Sequence, residues 1–378
     1  MEQDTGLVDS KTSSNFASRT FNLVRKTMRI DTLPPEIVRP SAWLGPQASA
    51  STKWIHHLTD SELSELERAS RTALETHADI SAIRRENFVL PTLGPKMTQL
   101  HDTLIHGSGF ALVRALPVQE WSREVTAAAF YGLGCYLGNP VPQNAKGHLL
   151  GHVIDMGLNA NDPKVRIYQT HERQTFHTDS CDIVGLVCLQ QAKLGGDSAL
   201  VSSNTIYNFM RRDYPALAAA LFDPIATDRR GDEAPGQKPY FEIPVFTWYA
   251  QMMSTIYQRQ YIDSAQRFAD AMRLTPMHVE ALDCFDALAN DSKLNFLMRL
   301  EPGDMQFVHN HTLLHDRTAF DDWQEPGRKR HLLRLWLSSP QARPLPAIWA
   351  ERYGSVVPGV RGGVSVPAAS WNTPLYPE

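Results

Sequence analysis

The sequence predicts a mainly β protein with flanking helices. From about Gly151 onwards, short apolar stretches alternate with turn residues, which is typical of an antiparallel sandwich or barrel rather than of a helix–strand repeat. Helical periodicity dominates the preceding part of the chain, and two further helical segments interrupt the strand series. We therefore expect one sheet core with helices packed around it.

The first half of the chain is predicted to supply most of the flanking helices. Thr59-Asp60-Ser61-Glu62 has the form of a capping box ahead of apolar residues at helical spacing, which predicts a helix over 60–77. A second helix is predicted over 96–106, followed by a short buried strand over 110–113. A third helix is expected within 121–137.

The region after Gly151 is predicted to form the sheet core, with helical insertions around 205–222 and 263–290. Its apolar stretches are bounded by Gly, Pro, Asn and Asp, as strands are. The predicted strands cover residues 166–170, 174–177, 183–190, 198–202, 242–249, 305–308 and 331–338.

Composition divides the chain into three parts. Residues 1–35 are polar and rich in Ser and Thr up to the Pro34-Pro35 pair, so we expect an N-terminal arm without a packed core. Residues 36–340 are predicted to form a single domain. The Pro- and Gly-rich residues 341–378 are predicted to form an irregular strap over it.

Charge and hydropathy exclude several classes of protein. The net charge is −4 and no basic stripe is present, which argues against nucleic-acid binding. The longest apolar runs are too short to span a bilayer, and no apolar leader begins the chain. The four cysteines lack metal or redox spacing, which favours a reducing, cytoplasmic location. We expect a small-molecule partner, with no membrane or nucleic acid; a homo-oligomer is left open.

One short motif carries metal-binding chemistry. In the extended run around His177-Thr178-Asp179, residues i and i+2 point to the same face, so the imidazole and the carboxylate can converge. With a second histidine they would form the two-His-one-carboxylate triad that suits non-haem Fe(II). Taken alone, the tripeptide is more often an ordinary surface sequence.

The second histidine is expected late in the chain, where His309, His311 and His315 share one strand face. Periodicity does not choose among them. Arg330 and Arg334 then share a face of a strongly apolar run, where a guanidinium is costly unless it meets an anion. The alternative is a pair of arginines that extend to solvent from a sheet edge.

Five motifs follow one another along the chain: His177-Thr178-Asp179, Gly195-Gly196-Asp197-Ser198, Leu313-Leu314-His315, Arg330 and Arg334. Their order and spacing resemble those of the Fe(II)- and 2-oxoglutarate-dependent oxygenases of the taurine dioxygenase/TfdA-like family, and of its fungal members in particular. The resemblance covers most of residues 35–340. It implies a double-stranded β-helix core, which is the cupin-like jelly roll.

The resemblance also implies the roles of the site residues. It makes His177, Asp179 and His315 the iron ligands. It places Arg330 on the distal carboxylate of 2-oxoglutarate, with Ser198 where relatives have a threonine that binds the same carboxylate. Fe(II), 2-oxoglutarate and dioxygen are the implied cofactors.

The substrate side is less strongly indicated. The resemblance places Arg334 on an anionic substrate group, and a partner for a buried acid such as Asp304 is the structural alternative. We expect Tyr168 and Thr170, before the triad, to line the pocket, with residues 246–249 as a further candidate; core packing is the alternative for all of them. His309 and His311 are expected to pack or to line the pocket.

The implied reaction is oxidation of an unactivated C–H bond in a small, carboxylate-bearing substrate, with release of succinate and CO2. Hydroxylation is the default outcome. Oxidative cyclisation or desaturation of an amino acid in specialised metabolism is the first alternative. A zinc hydrolase with the same ligands, or a jelly-roll binding module without catalysis, are further alternatives.

Overall fold

The computed structural model describes residues 32–160, 162 and 165–378. Residues 1–31 of the predicted N-terminal arm therefore lie outside the described residues. Within the described residues, no helix is long and apolar enough to cross a membrane. The predicted fold class, mainly β with flanking helices, is confirmed by two sheets with helices on their outer faces.

Helices and strands alternate along the chain without regular repetition. The helices are α1 (Gly45–Ala50), α2 (Asp60–Thr76), α3 (Leu93–Ile105), α4 (Arg123–Cys135), α5 (Ser203–Asp213), α6 (Pro215–Ala220), α7 (Arg259–Ala265), α8 (Pro276–Ala289) and α9 (Ala350–Tyr353). The strands are β1 (Ile55–His57), β2 (Phe110–Arg114), β3 (Asn139–Pro140), β4 (Leu150–Ile154), β5 (Gln174–His177), β6 (Ile183–Gln190), β7 (Leu194–Gly195), β8 (Ser198–Ser202), β9 (Pro224–Asp228), β10 (Tyr240–Pro244), β11 (Phe246–Tyr249), β12 (Met252–Thr255), β13 (Asn295–Met298), β14 (Met305–His309), β15 (Leu313–Arg317), β16 (Phe320–Asp321) and β17 (His331–Ser338).

Most of the predicted elements are confirmed. The helix predicted over 60–77 is α2, and its capping box is formed, since Thr59 N–H donates to Glu62 Oε2 at 2.9 Å. The strands predicted over 174–177, 183–190, 198–202 and 331–338 are β5, β6, β8 and β17 with the same bounds.

Two predictions of secondary structure were wrong, and the two predicted helical insertions are each divided. Residues predicted as a strand over 166–170 form the 3-10 helix Ile167–Gln169. The single strand predicted over 242–249 is two strands, β10 and β11, which belong to different hairpins. Both helical insertions are split into pairs, and Pro215 divides α5 from α6 because proline has no backbone N–H to continue a helix.

The two main sheets lie face to face. The larger has strand order β1-β2-β14-β6-β17-β3, with β4 also paired to β17, and the smaller has the order β13-β8-β15-β5. Apolar side chains from both sheets form one buried cluster between them, including Leu112, Val184, Leu200, Phe296 and Leu313. Helices α2, α3 and α4 cover the outer face of the larger sheet, and α5, α6 and α8 cover the smaller.

Strand alternation decides which side chains of β17 reach the site. Leu333, Leu335 and Leu337 pack against the outer helices. Because successive side chains point to opposite faces, Arg334 and Trp336 point between the sheets. A one-residue shift of register would exchange these two sets.

Candidate metal centre

The three predicted ligands converge at one end of the space between the sheets. Strands β5 and β15 pair antiparallel with His177 directly opposite His315, and the two ring centroids are 4.1 Å apart. Asp179 lies just past the end of β5 and points to the same place. One ligand atom from each residue lies within 4.8 Å of the other two, and all three residues are buried.

Both imidazoles are neutral and can therefore offer a nitrogen lone pair to a metal. His177 Nδ1 lies 2.8 Å from the Thr175 carbonyl, which can only accept, so Nδ1 carries the proton and Nε2 keeps its lone pair. The Gln174 amide lies 2.9 Å from that Nε2 and must turn away when a metal binds. Burial lowers the pKa of His177, and burial with the neighbouring His177 lowers the pKa of His315 to about 3. Both rings are therefore neutral near pH 7.

The Asp179 carboxylate is held from three sides. Its Oδ2 accepts from Trp336 Nε1 at 2.8 Å and from Arg334 Nη1 at 3.4 Å, and its backbone N–H donates to Asn310 Oδ1 at 3.0 Å. Burial alone would raise the pKa of Asp179, but the charge of Arg334 and the hydrogen bond from Trp336 lower that pKa. The carboxylate is thus ionised and fixed in orientation.

A cavity beside the triad is rich in cationic groups, and we call it the arginine cavity. Its lining includes His177, His315, Ser198, Arg317 and Arg330. The Ser198 hydroxyl points into the sheet interior, where it donates to Gln306 Oε1 at 3.1 Å. The two polar side chains that the resemblance assigns to 2-oxoglutarate, Ser198 and Arg330, therefore share one cavity with the histidines.

Arg330 is buried and has no acidic partner among the described residues. Its Nη2 donates to the Gly196 carbonyl at 3.2 Å, while its buried Nη1 has no partner among the described residues. Burial lowers the pKa of Arg330 to about 10. Gly196 has a φ of +73°, and a Cβ at that position would lie 2.7 Å from Arg330 Nε, so a glycine is required there.

Arg317 is a second buried guanidinium on the same cavity, and none of the sequence motifs indicated it. It donates to the carbonyls of Thr170 and Glu172, and its buried Nε has no partner among the described residues. Burial, together with repulsion from Arg330, lowers the pKa of Arg317 to about 9. Strand alternation could have found it, because Arg317 is two residues after His315.

A second cavity opens on the other side of the triad, and we call it the tyrosine cavity. It is lined by His177, Asp179 and Arg334 together with Tyr168, Tyr257 and Tyr261. The predicted pocket residue Tyr168 therefore lies beside the triad, although on a 3-10 helix rather than on a strand.

Arg334 is bound on several sides. Its Nε donates to Gln143 Oε1 at 2.8 Å, and its guanidinium lies 4.6 Å from the Tyr168 ring centroid and 5.0 Å from that of Trp336. The acid it meets is Asp179. Asp304, the acid considered from the sequence, pairs with Arg114 at 3.4 Å instead.

The other predicted pocket residues lie away from the triad. The Thr170 hydroxyl bonds the Ile167 carbonyl at 2.9 Å, and Thr170 is not in the lining of either cavity. Phe246 lies in the core under the smaller sheet. His309 and His311 are fully buried; His311 Nε2 lies 2.8 Å from Asp182 Oδ1, so this histidine is part of a buried polar network.

Two facing sheets carry a His-Asp-His set at one end, beside a cavity with two arginines, Arg317 and Arg330, that form no ion pair among the described residues. This arrangement is typical of non-haem iron oxygenases. A family model described as "Taurine catabolism dioxygenase TauD, TfdA family" matches residues 72–336. The chain belongs to this family, and it is an enzyme that uses Fe(II), 2-oxoglutarate and dioxygen. The predicted resemblance is confirmed, and membership favours the oxygenase interpretation over the hydrolase and binding-module alternatives.

Two characterised relatives cover most of the chain. "FR-33289 synthase" from Streptomyces rubellomurinus is 29% identical over 86% of this chain and 97% of its own length. "Taurine hydroxylase-like protein SAT17" from Stachybotrys chartarum is 27% identical over 78% of this chain and 77% of its own length. The second relative agrees with the predicted likeness to fungal members.

Solved structures show the same fold. An asparagine oxygenase in complex with Fe(II), 2S,3S-3-hydroxyasparagine and succinate superposes with a TM-score of 0.57 at 17% identity, covering 75% of this chain and 93% of that one. The non-haem iron oxygenase OrfP in complex with Fe and α-ketoglutaric acid gives 0.57 at 13% identity, with the same two coverages. The predicted jelly-roll core is thereby confirmed.

Proposed function

We propose that this oxygenase oxidises an unactivated C–H bond of a small anionic substrate at an iron held by His177, Asp179 and His315. The observation that carries the proposal is the convergence of three neutral or anionic ligand atoms within 4.8 Å, with a cavity on each side. The donor set fits Fe(II), because two imidazoles and one carboxylate on one face leave the opposite face of the metal open.

The arginine cavity is the proposed site of 2-oxoglutarate. Nη1 of Arg330 has no partner among the described residues, and Arg317 supplies a second positive charge. The distal carboxylate of the cosubstrate would accept hydrogen bonds from both guanidinium groups. Ser198 would turn its hydroxyl from Gln306 toward that carboxylate. An apolar residue in place of either guanidinium would remove a charge-assisted hydrogen bond.

The tyrosine cavity is the proposed substrate site. Tyr168 forms part of its wall, and Arg334 both orients Asp179 and gives this wall positive charge. Solved structures of the same fold contain hydroxyasparagine and hydroxyarginine, which supports an amino acid or a similar small carboxylate as substrate. Hydroxylation is the proposed outcome.

The bound iron and cosubstrate supply the oxidising power, with succinate and CO2 as coproducts. The protein's part is orientation. Trp336 and Arg334 fix the orientation of the Asp179 carboxylate, and the Thr175 carbonyl fixes the tautomer of His177. The lining of the tyrosine cavity would hold the substrate carbon next to the metal and exclude water.

Anaerobic titration of the Fe(II)-loaded protein with 2-oxoglutarate tests the proposal. We expect a visible charge-transfer band in the wild type and no band in His177→Ala or Asp179→Ala. A band that survives both substitutions would show that the metal lies elsewhere, and its absence from the wild type would overturn the assignment of the cosubstrate site.

A further inference from the structure

Two arginines far from the triad in sequence lie together on the wall of the tyrosine cavity. Arg229 follows strand β9, and Arg352 belongs to helix α9 in the C-terminal segment. They are held by backbone carbonyls rather than by acids. Arg229 donates to the carbonyls of Lys238 and Glu351, and Arg352 Nη1 donates to that of Gly363 at 2.7 Å.

The other arginines of this cavity already have anionic partners. Arg166 pairs with Asp232 at 2.5 Å, and Arg334 meets Asp179 at 3.4 Å. Within the part of the chain that the structure describes, neither Arg229 nor Arg352 forms an ion pair with a carboxylate. Nη1 of Arg229 and both Nε and Nη2 of Arg352 also have no hydrogen-bond partner among those residues.

Burial makes this lack of an anion costly. Only 8% of the Arg229 surface is exposed, and burial, together with the charge of Arg352, lowers the pKa of Arg229 to about 10. The carboxylates of Glu351, Glu233 and Asp232 oppose this lowering without forming an ion pair with Arg229, and a bound anion would further reduce the repulsion between the two guanidinium groups. The five N–H groups of a guanidinium form a planar fork that matches the oxygens of a carboxylate, sulfonate or phosphoryl group.

The position of the pair also fits the end of an elongated ligand. A further cavity under the C-terminal segment shares Arg229, Asp232 and Arg352 with the tyrosine cavity. The two arginines therefore lie where these cavities meet, on a wall that also includes the metal-ligand residues His177 and Asp179.

We infer that Arg229 and Arg352 form an oxyanion subsite that holds an acidic group of the substrate while another part of the molecule lies at the metal. This inference rests on the proposed function and refines it. Arg334 is engaged with Asp179 and Gln143, so the group that recognises the substrate anion is the Arg229–Arg352 pair rather than Arg334 alone.

Calorimetric titration with sulfate tests this subsite. The protein is kept anaerobic and loaded with Fe(II) and saturating 2-oxoglutarate, so that the arginine cavity is already occupied. We expect sulfate to bind the wild type and to bind Arg352→Gln and Arg229→Gln at least about tenfold more weakly, which corresponds to ~1.4 kcal/mol. Arg352→Lys keeps the charge and should retain most of the affinity.

Arg212→Gln is the matched control, because Arg212 is exposed and paired with its neighbour Asp213; its sulfate affinity should equal that of the wild type. Equal affinity of the wild type, Arg229→Gln and Arg352→Gln would overturn the inference, as would the absence of sulfate binding to the wild type. Repeating the titration with acetate separates the chemical classes: sulfate much tighter than acetate indicates a sulfonyl or phosphoryl group, and equal affinities indicate a carboxylate.

The charge-transfer band of the bound cosubstrate distinguishes this failure from failure of the proposed function. Arg229 and Arg352 do not contact the triad, so the band should persist in their variants and also shows that these variants are folded. A normal band with unchanged sulfate affinity overturns the subsite alone, whereas no band in the wild type overturns the proposed iron and cosubstrate site itself.

Discussion

The two walls of the active site are built in different ways. The strand wall, formed by β5, β8, β15 and β17, carries the proposed metal ligands and the arginine cavity on or next to paired strands. The loop wall carries Tyr168 on a 3-10 helix and Arg229 and Arg352 next to a turn and a short helix. The proposed metal ligands and Arg330 thus lie on strands or directly beside a strand end, and the proposed substrate contacts lie on segments that can vary without disturbing the sheets.

The largest expected effect is at the strand wall. His315→Ala removes one of three ligands, so we expect loss of bound Fe(II) and of the charge-transfer band with 2-oxoglutarate, measured by metal analysis and absorbance. His171→Ala is the control, because 56% of that side chain is exposed and it lies outside the triad. If His315→Ala retained as much iron as the control, His315 would not be a metal ligand, and the strand wall would not carry the metal site as proposed.

Arg330→Gln should have the second-largest effect. The substitution removes the buried cation opposite the distal carboxylate, so the Kd for 2-oxoglutarate should rise about 100-fold, as expected when one partner of a buried charge pair is lost. Titration of the charge-transfer band measures it. Arg328→Gln, an exposed neighbour with 55% of its side chain accessible, should leave the Kd unchanged; an equal effect of both variants would remove Arg330 from the cosubstrate site.

Trp336→Phe tests the support behind the ligands. It deletes the 2.8 Å hydrogen bond to Asp179 and leaves an aromatic ring of similar shape. Loss of such a partner typically weakens metal affinity about 10- to 100-fold, which a competitive chelator titration would detect. Trp371→Phe, 38% exposed and outside both cavities beside the triad, is the control.

A substitution on the loop wall should behave differently. Tyr168→Leu removes the ring next to Arg334, so we expect a loss of about 1 kcal/mol in the free energy of unfolding, measured by urea denaturation. The affinities for Fe(II) and 2-oxoglutarate should remain close to those of the wild type. If this variant lowered both affinities, the loop wall would also contribute to binding of the metal and the cosubstrate, and the two walls would not have separate roles.

The smallest expected effect is on the pH dependence of stability, and it concerns a histidine outside the two cavities beside the triad. His331 is buried against His152, which also bonds the Pro374 carbonyl, and burial lowers the pKa of His331 from 6.5 to about 3. The unfolded chain therefore binds a proton more readily, so stability is full above pH 6.5 and declines as the pH falls toward 3. Thermal unfolding should show a smaller decline in His331→Gln; an identical decline would assign the acid sensitivity to other groups.

Regular alternation explains how much of the strand wall could be predicted from the sequence. The two-residue period placed His177 and Asp179 together and placed Arg330 and Arg334 on one side of their strand. It could not choose among three late histidines, because long-range pairing of β15 with β5, rather than local pattern, brings His315 next to His177. The resemblance to known relatives made that choice.

The loop wall could not be predicted in this way. Tyr168 was expected on a strand and lies on a 3-10 helix, where period-two reasoning does not apply. Arg229 and Arg352 were not singled out at all, since nothing local distinguishes an arginine that lines a cavity from one on the surface. Only the fold places the C-terminal segment over β9 and brings the two together.

The strand order of the larger sheet has a consequence for biosynthesis. Strand β14 lies between β2 and β6, although it is synthesised long after both. The emerging polypeptide therefore exposes two unpaired strand edges until most of the coding sequence has been translated. We expect nascent chains of this enzyme to depend on chaperones at the ribosome, and fragments that end before β14 to aggregate.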